Sequence, residues 1–239
     1  MITSIIIFIV SYCVFTFLEG LISKTIEKLD TTLTWEKYKL KQKQIIKEMK
    51  ELNEQDEQII SDRKEASTTI NDTGQNLFGK DKKQWTKAKK LNLKPFTDII
   101  ELNEKDMTID VEASITFDKL IKFLEERHYQ PLFTVDMYHI SIGGLIGGVG
   151  GGSACAKNGA FHDSIIDMDV LTSEGNVYFC SENHNQNLFY SMANAYGTLG
   201  YILRVKLKIV DMKSYVKVKN LYFDNSKDYF ATIDQMQSK

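Results

Sequence analysis

Between Gly143 and Gly152, seven of ten residues are glycine, half of the 14 in the 239-residue chain. A hydrophobic core gains nothing from such a run, because glycine packs no side chain and loses the most conformational freedom on folding. The run makes sense where backbone must come close to a ligand or take up φ > 0 repeatedly. Successive N–H groups converging on an anion are the usual use. A backbone donor to a charged acceptor contributes roughly 1.5–3 kcal/mol, so three or four offset the entropy lost. A flexible linker is the competing reading, but this run carries Leu145, Ile146 and Val149 and lies between ordered-looking stretches. It is neither a Rossmann fingerprint, which opens a helix after a strand, nor a P-loop, which needs Gly-Lys-Ser/Thr.

Upstream the chain changes character twice. Met1–Leu18 has no charged side chain before Glu19. At about 1.5 Å per residue, residues 1–22 just span a hydrocarbon core of about 30 Å. A cleaved signal peptide needs a basic start and a small-x-small exit, and the chain shows Met1-Ile2-Thr3-Ser4 and Phe17-Leu18-Glu19-Gly20 instead. The expectation is an uncleaved transmembrane anchor over residues 1–22. Lys24, Lys28, Lys37, Lys39 and Lys41 on its C-terminal side place the remainder in the cytoplasm by the positive-inside rule. Residues 31–60 form a charged amphipathic helix. In it Tyr38, Ile45, Leu52 and Ile59 recur every seven residues, with Trp35 and Met49 between them. Two readings stay open: a solvated helix packed on its own domain or a membrane surface, and a short homodimeric coiled coil.

From Ile70 onward the elements are short and alternate. Ile99–Leu102 and Met107–Val111 read as strands about an Asn103–Asp106 turn. Phe117, Leu120, Ile121 and Leu124 give one helix face. Ile165–Leu171 and Val177–Cys180 read as a hairpin across Thr172–Asn176, and Asn187–Ala195 as a helix. Tyr201, Leu203, Val205, Leu207 and Ile209 alternate with Arg204, Lys206 and Lys208, a half-buried strand with a wet face. The sum is an α+β domain. A net charge of −2 gives no footing for nucleic acid. Three cysteines and four histidines without ligand spacing argue against a disulfide framework and a metal site.

Ser141-Ile142-Gly143-Gly144-Leu145-Ile146, Gly148-x-Gly150-x-x-Ser153 and Lys157-x-Gly159 resemble the second pyrophosphate-binding segment of the FAD-linked oxidases of the vanillyl-alcohol-oxidase type, with their PCMH-type FAD-binding domain. Asp169-Val170-Leu171 with Gly175, Asn187-Leu188-Phe189-Tyr190-Ser191 and Gly197-Thr198-Leu199-Gly200 match that family's later strand, helix and turn, and Asp98–Leu102 and Val111-Glu112 an earlier part. Within the family the Δ24-sterol reductases look nearest, and bacterial FAD-linked oxidoreductases without an anchor are the alternative. The resemblance implies a PCMH-type FAD-binding domain of two α+β subdomains over residues 61–220, after the anchor and charged helix. Residues 221–239 would begin a substrate domain.

What the resemblance carries over is specific. Ser141, Ile142, Gly143, Gly144, Leu145, Gly148 and Gly150 would bind the FAD pyrophosphate and ribityl region through backbone N–H groups, and Ser153 would add a hydroxyl. Gly159 would allow the exit turn, Gly197, Thr198 and Gly200 would close on the flavin, and Ile202 would lie by the adenine. Asp72–Leu77 is the candidate first phosphate loop. The flavin would be held non-covalently, with NADPH as reductant and a C=C bond of a small lipophilic molecule as substrate. No catalytic residue is identified. A second chain supplying the C-terminal half is one implied partner. An FAD-binding remnant without catalysis, a generic FAD-linked oxidase with a non-sterol substrate, and a membrane-tethered interaction protein are the alternatives.

Overall fold

The structure, a computed structural model, describes residues 2–54, 59–62, 89–135, 138–148, 150–152 and 155–237. Side-chain surroundings are described from Glu19 onward, except at 59–62, 89–90, 156–157 and 237. The candidate first phosphate loop Asp72–Leu77, and Ser153, lie outside the described residues.

The chain opens with one helix, α1 (Ile2–Asn53). Proline is absent from this stretch, and Gly20 is its only glycine, so the backbone has little reason to break. The stretches read as an anchor and a charged helix thus lie on one continuous element. The transmembrane and single-pass expectation finds no support. Among the described residues no helix is long and apolar enough to cross a membrane, and the side chains of residues 1–18 lie outside the described part.

β1 (Ile59–Asp62) and β2 (Lys89–Asn92) pair in parallel as a two-stranded unit. The main sheet follows: β3 (Ile99–Asn103), β4 (Thr108–Glu112), β6 (Ile165–Leu171), β7 (Val177–Ser181) and β8 (Tyr201–Asp211), in the order β3-β4-β8-β6-β7 and antiparallel throughout. A short β5 (Tyr129–Pro131) pairs with the far end of β8. Between the strands run α2 (Phe117–Glu125), α3 (Ile142–Gly147), the one-turn α4 (Cys155–Asn158) and α5 (Gln186–Ser191). α6 (Ser226–Gln237) closes the described chain.

Both hairpins form at the expected turns. The Asn103 side chain accepts from the Asp106 N–H at 3.0 Å, and the Thr172 N–H reaches the Asn176 carbonyl at 2.9 Å. β8, the last strand in sequence, is central in space, bonded to β4 on one side and β6 on the other.

Each face of the sheet has its own cover. On one face Ile109, Val111, Met168, Val170, Ile202, Val205 and Leu207 pack with Phe117, Leu120 and Leu124 of α2 and Ile142, Leu145 and Ile146 of α3. On the other, Leu171, Leu203 and Ile100 meet Leu91, Leu93 and Phe96 and the α1 side chains Tyr38, Ile45 and Met49. This decides between the two readings for Tyr38, Ile45 and Leu52, which α1 packs on its own domain; Ile59, the last of the row, lies in β1, so the helix expected over residues 31–60 ends at Asn53. Three large side chains removed from water here contribute roughly 5–9 kcal/mol before ordering costs.

The same cover corrects the wet face expected for β8. Lys208 is exposed, but Arg204 is 4% exposed, because α1 lies across that end of the sheet.

Candidate functional site

The first half of the glycine run is helical. Ser141 caps α3 with its backbone extended and its hydroxyl accepting from the Gly144 N–H at 3.1 Å. Ile142, Leu145 and Ile146, spaced i, i+3, i+4, are buried in the core. These three anchors and the cap outweigh the low helix propensity of Gly143, Gly144 and Gly147. The signal was in the sequence as Ser141-x-x-Gly144 followed by two apolar residues, and the glycine count obscured it.

That helix uses up donors the resemblance would turn toward a phosphate. The N–H groups of Ile142 and Gly143 bond the carbonyls of Ile115 and Ala113 at 3.0 and 2.7 Å. Those of Leu145, Gly148 and Gly150 bond Ser141, Gly144 and Leu145 at 2.9, 3.0 and 2.7 Å. The Gly152 N–H points at Cys155 Sγ, 3.3 Å away. Among the described residues, the N–H groups of Gly151, Gly197 and Leu199 make no hydrogen bond.

The glycines divide in the same way. A Cβ at Gly150 would lie 2.8 Å from Leu145 Cδ2, and one at Gly152 2.5 Å from the Thr134 carbonyl oxygen, so these two serve internal packing. A Cβ at Gly147 or Gly151 would meet nothing nearer than 4.0 or 3.9 Å. The backbone there is open to an approaching group.

The two halves of the expected site meet. The N–H groups of Asn194 and Tyr196 bond the carbonyls of Ile146 and Gly147 at 3.2 and 3.0 Å, at the C-terminal end of α3. The Tyr196 hydroxyl donates to the Gly148 carbonyl at 3.3 Å. Thr198 closes the turn by donating its hydroxyl to the Ala195 carbonyl at 2.6 Å. Gly200, at φ +153°, abuts β6: an added Cβ would lie 2.6 Å from the Leu171 carbonyl oxygen. Ile202 sits on β8 opposite Val170 with its side chain in the core. At the other exit, Gly159 has φ +76° and its N–H bonds the Cys155 carbonyl at 3.1 Å. Asp163 Oδ2 then accepts from the Ala160 N–H at 2.7 Å.

Cys155, Cys180, His139 and His162 are further reactive side chains. Cys155 is exposed, with Sγ held against Gly152. Burial pushes the Cys180 thiol up to about 11, so it stays protonated and inert. His139 Nδ1 lies 3.6 Å from Asp118 Oδ2, in a groove of 440 Å³ bordered by Ile121, Pro131, Tyr138 and Met212. His162 Nε2 lies 3.8 Å from Asp163.

Sequence reasoning missed a buried ionic network on the α1 side of the sheet. Arg204 bonds Asp110, Asp167 at 2.6 Å and Asp169 at 3.2 Å. Tyr38 donates to Asp169, and Lys41 bridges Asp98 and the 1%-exposed Glu112. Burial works against the Arg204 charge, but Asp169, Asp110 and Asp167 override it and hold the guanidinium pKa up. Burial pushes Glu112 up, opposed by the Asp98 N–H and Lys41. Trp35, Glu101, Phe179 and Lys206 complete a concavity of 350 Å³ here. Neither this concavity nor the groove at His139 is lined by α3 or by the turn at Gly197–Gly200.

The model of the FAD binding domain family matches residues 58–181, more than half of the chain. The chain belongs to this family. The matched residues carry α3 and the strands β3, β4, β6 and β7 of the main sheet.

Among curated proteins, a Delta(24)-sterol reductase from Pisum sativum is 24% identical over 129 residues, 54% of this chain and 23% of the relative. The Homo sapiens Delta(24)-sterol reductase is 27% identical over 122 residues, 51% of this chain and 24% of the relative. Cytokinin dehydrogenase 2 from Arabidopsis thaliana is 28% identical over 117 residues, 49% and 23%. The chain thus spans about a quarter of the length of these relatives. The crystal structure of 6-hydroxy-D-nicotine oxidase from Arthrobacter nicotinovorans shares the fold, with a TM-score of 0.57 and 17% identity over 70% of this chain and 34% of that one.

Proposed function

We propose that this FAD-binding domain holds its flavin non-covalently against α3 and the turn at Gly197–Gly200, and works as an FAD-dependent oxidoreductase of the sterol-reductase type. The observation that carries the reading is the junction of those two segments. Two N–H···O bonds join them, and around them lie the backbone of Gly147 and Gly151 and the N–H groups of Gly151, Gly197 and Leu199, which have no partner among the described residues. A pyrophosphate or flavin carbonyl is the acceptor such donors suit. Ser141, Ile142, Gly143, Gly144, Leu145, Gly148 and Gly150 then shape the wall rather than donate to the ligand, since their N–H groups or side chains are engaged within the chain.

Bound FAD supplies hydride chemistry; this chain's residues bind and orient it. NADPH as the reductant and a C=C bond in a small lipophilic substrate rest on likeness to the named sterol reductases. The cytokinin dehydrogenase match supports a second reading, an FAD-linked oxidase with a non-sterol substrate. Tyr215, Val216, Val218, Tyr222 and Phe230 stand exposed near the C-terminal end. That surface supports a partner polypeptide covering the substrate side.

The test is spectroscopic. Purified chain, with and without added FAD, should take up a yellow chromophore that acid precipitation releases into the supernatant. Anaerobic NADPH should then bleach it. A chain that takes up no FAD overturns the binding reading. A chain that binds FAD yet is not bleached keeps the binding and loses NADPH as donor. Pigment that stays with the acid pellet overturns non-covalent attachment.

A further inference from the structure

α1 has two apolar rows, and the domain uses one. The row facing the sheet is Tyr38, Ile45 and Met49. A second row, Ile22, Ile26, Leu29, Leu33 and Leu40, is 52–64% exposed. At 3.6 residues per turn the two rows lie roughly 150° apart around the helix. The second row therefore points away from the domain even at Leu40, where α1 is already seated on the sheet.

Its spacing is that of a two-helix seam. The steps run 4, 3 and 4 from Ile22 to Leu33, and Leu40 follows one heptad later. With Ile26, Leu33 and Leu40 at a, Ile22, Leu29 and Glu36 fall at d, and Lys43 and Lys47 end the row. The seam spans about 27 Å. Alternating steps of three and four, with Leu40 one heptad on, are the spacing that an equivalent helix alongside asks for.

The flanks permit a parallel pair. In that arrangement each g residue faces the e residue five positions on in the partner helix. The contacts are then Thr25 to Asp30, Thr32 to Lys37 and Lys39 to Gln44, with no like charges opposed. Thr25 and Thr32 already donate their hydroxyls to the Leu21 and Lys28 carbonyls at 2.8 Å, so they bring no unmet donor to the seam. The domain packs on the far side of α1, which leaves this row open to a second copy.

We propose that Ile22–Leu40 of α1 is the seam of a parallel homodimer, with two FAD-binding domains held side by side at its C-terminal end. The seam contains one flaw, Glu36, which places two carboxylates together across the dyad.

Sedimentation velocity of the full chain in a mild non-ionic detergent tests this. The expected result is a dimer that Ile26→Glu with Leu33→Glu converts to monomer. The domain's unfolding temperature should not change, because neither side chain touches the domain cores. Glu36→Leu should lower the dissociation constant at least tenfold. Leu33→Cys, with Cys13 and Cys155 replaced by serine, should give a disulfide-linked dimer on mild oxidation, which an antiparallel pair would not. A monomeric wild type overturns the proposal, as does a dimer that ignores the paired glutamates or Glu36→Leu. So does a monomer that the paired glutamates merely release from phosphatidylcholine vesicles, because the row would then face lipid.

Discussion

The Tyr38 hydroxyl donates a 2.6 Å hydrogen bond to Asp169 Oδ2 across a separation of 131 residues. It joins α1 to β6. Burial, with Asp169 next in effect, pushes the Tyr38 phenol well above its usual range, so it remains a donor at any physiological pH. Tyr38→Phe keeps the ring contacts with Trp35 and Phe96 and loses this bond together with the long one, 3.4 Å, that the hydroxyl accepts from Gln42 Nε2. It should lower the unfolding free energy by about 1.5–3 kcal/mol, as for a hydrogen bond to a charged group. Denaturant titration measures it. A change below the scatter of the titration would show that Arg204 alone satisfies Asp169.

Lys41 neutralises a carboxylate that has almost no access to water. Among the described residues, Lys41→Met leaves Glu112 with the Asp98 N–H alone, at 2.8 Å, and should cost about 3–5 kcal/mol at pH 7. The sign of the pH dependence follows from Glu112. Its folded pKa is already raised by burial, and losing Lys41 raises it further. The folded state then holds the proton that the unfolded state releases, so stability falls as pH rises through that interval. The deficit of the variant should therefore shrink on going from pH 7 to about 5. Thermal melts of both proteins across that range check it.

Two neighbouring glycines should separate ligand contact from packing. Gly150→Val drives its side chain into Leu145 and should lower the melting temperature whether or not FAD is present. Gly151→Val has room and should leave the melting temperature of the apoprotein within a degree or two, while FAD uptake falls at least tenfold. Melting without FAD and flavin absorbance after adding it give the two readouts. Unchanged uptake by Gly151→Val would move the flavin away from that backbone.

Gly200→Ala should destabilise by more than the 1–3 kcal/mol typical of a disfavoured φ/ψ region. It combines a positive φ with a Cβ 2.6 Å from the Leu171 carbonyl oxygen. Chemical denaturation quantifies it, and an unperturbed variant would show that the turn shifts freely against β6.

β3, β4, β6, β7 and β8, both hairpin turns and the α2 face were legible because their patterns are local: alternation along β8, Asn103–Asp106, and Phe117-Leu120-Leu124; β1, β2 and β5, at 4, 4 and 3 residues, are too short to show one. The joining of α3 to the turn before Gly197 was anticipated only through family likeness, since nothing local at Tyr196 announces a bond to Gly147. The helix inside the glycine run was hidden because its stability comes from three buried side chains and one cap, not from propensity. Arg204 read as solvent-facing because alternation identifies a face and not what covers it. The cover comes from α1, more than 150 residues earlier, and the acids that meet the guanidinium come from β4 and β6. The heptad row at Tyr38 could not name its partner for the same reason: a sheet face and a second helix ask for the same side chains.

The central place of β8 bears on how the chain is made. Until Tyr201–Asp211 has left the ribosome, β4 and β6 lack the strand that lies between them, and α1 lacks Leu203 and Arg204 in its seat. Native pairing of the sheet is thus deferred almost to the end of the stretch described here, and the earlier strands wait with open edges. A nascent chain stalled before Tyr201 should remain protease-sensitive throughout the domain, and one stalled well beyond Asp211 should become resistant as a unit.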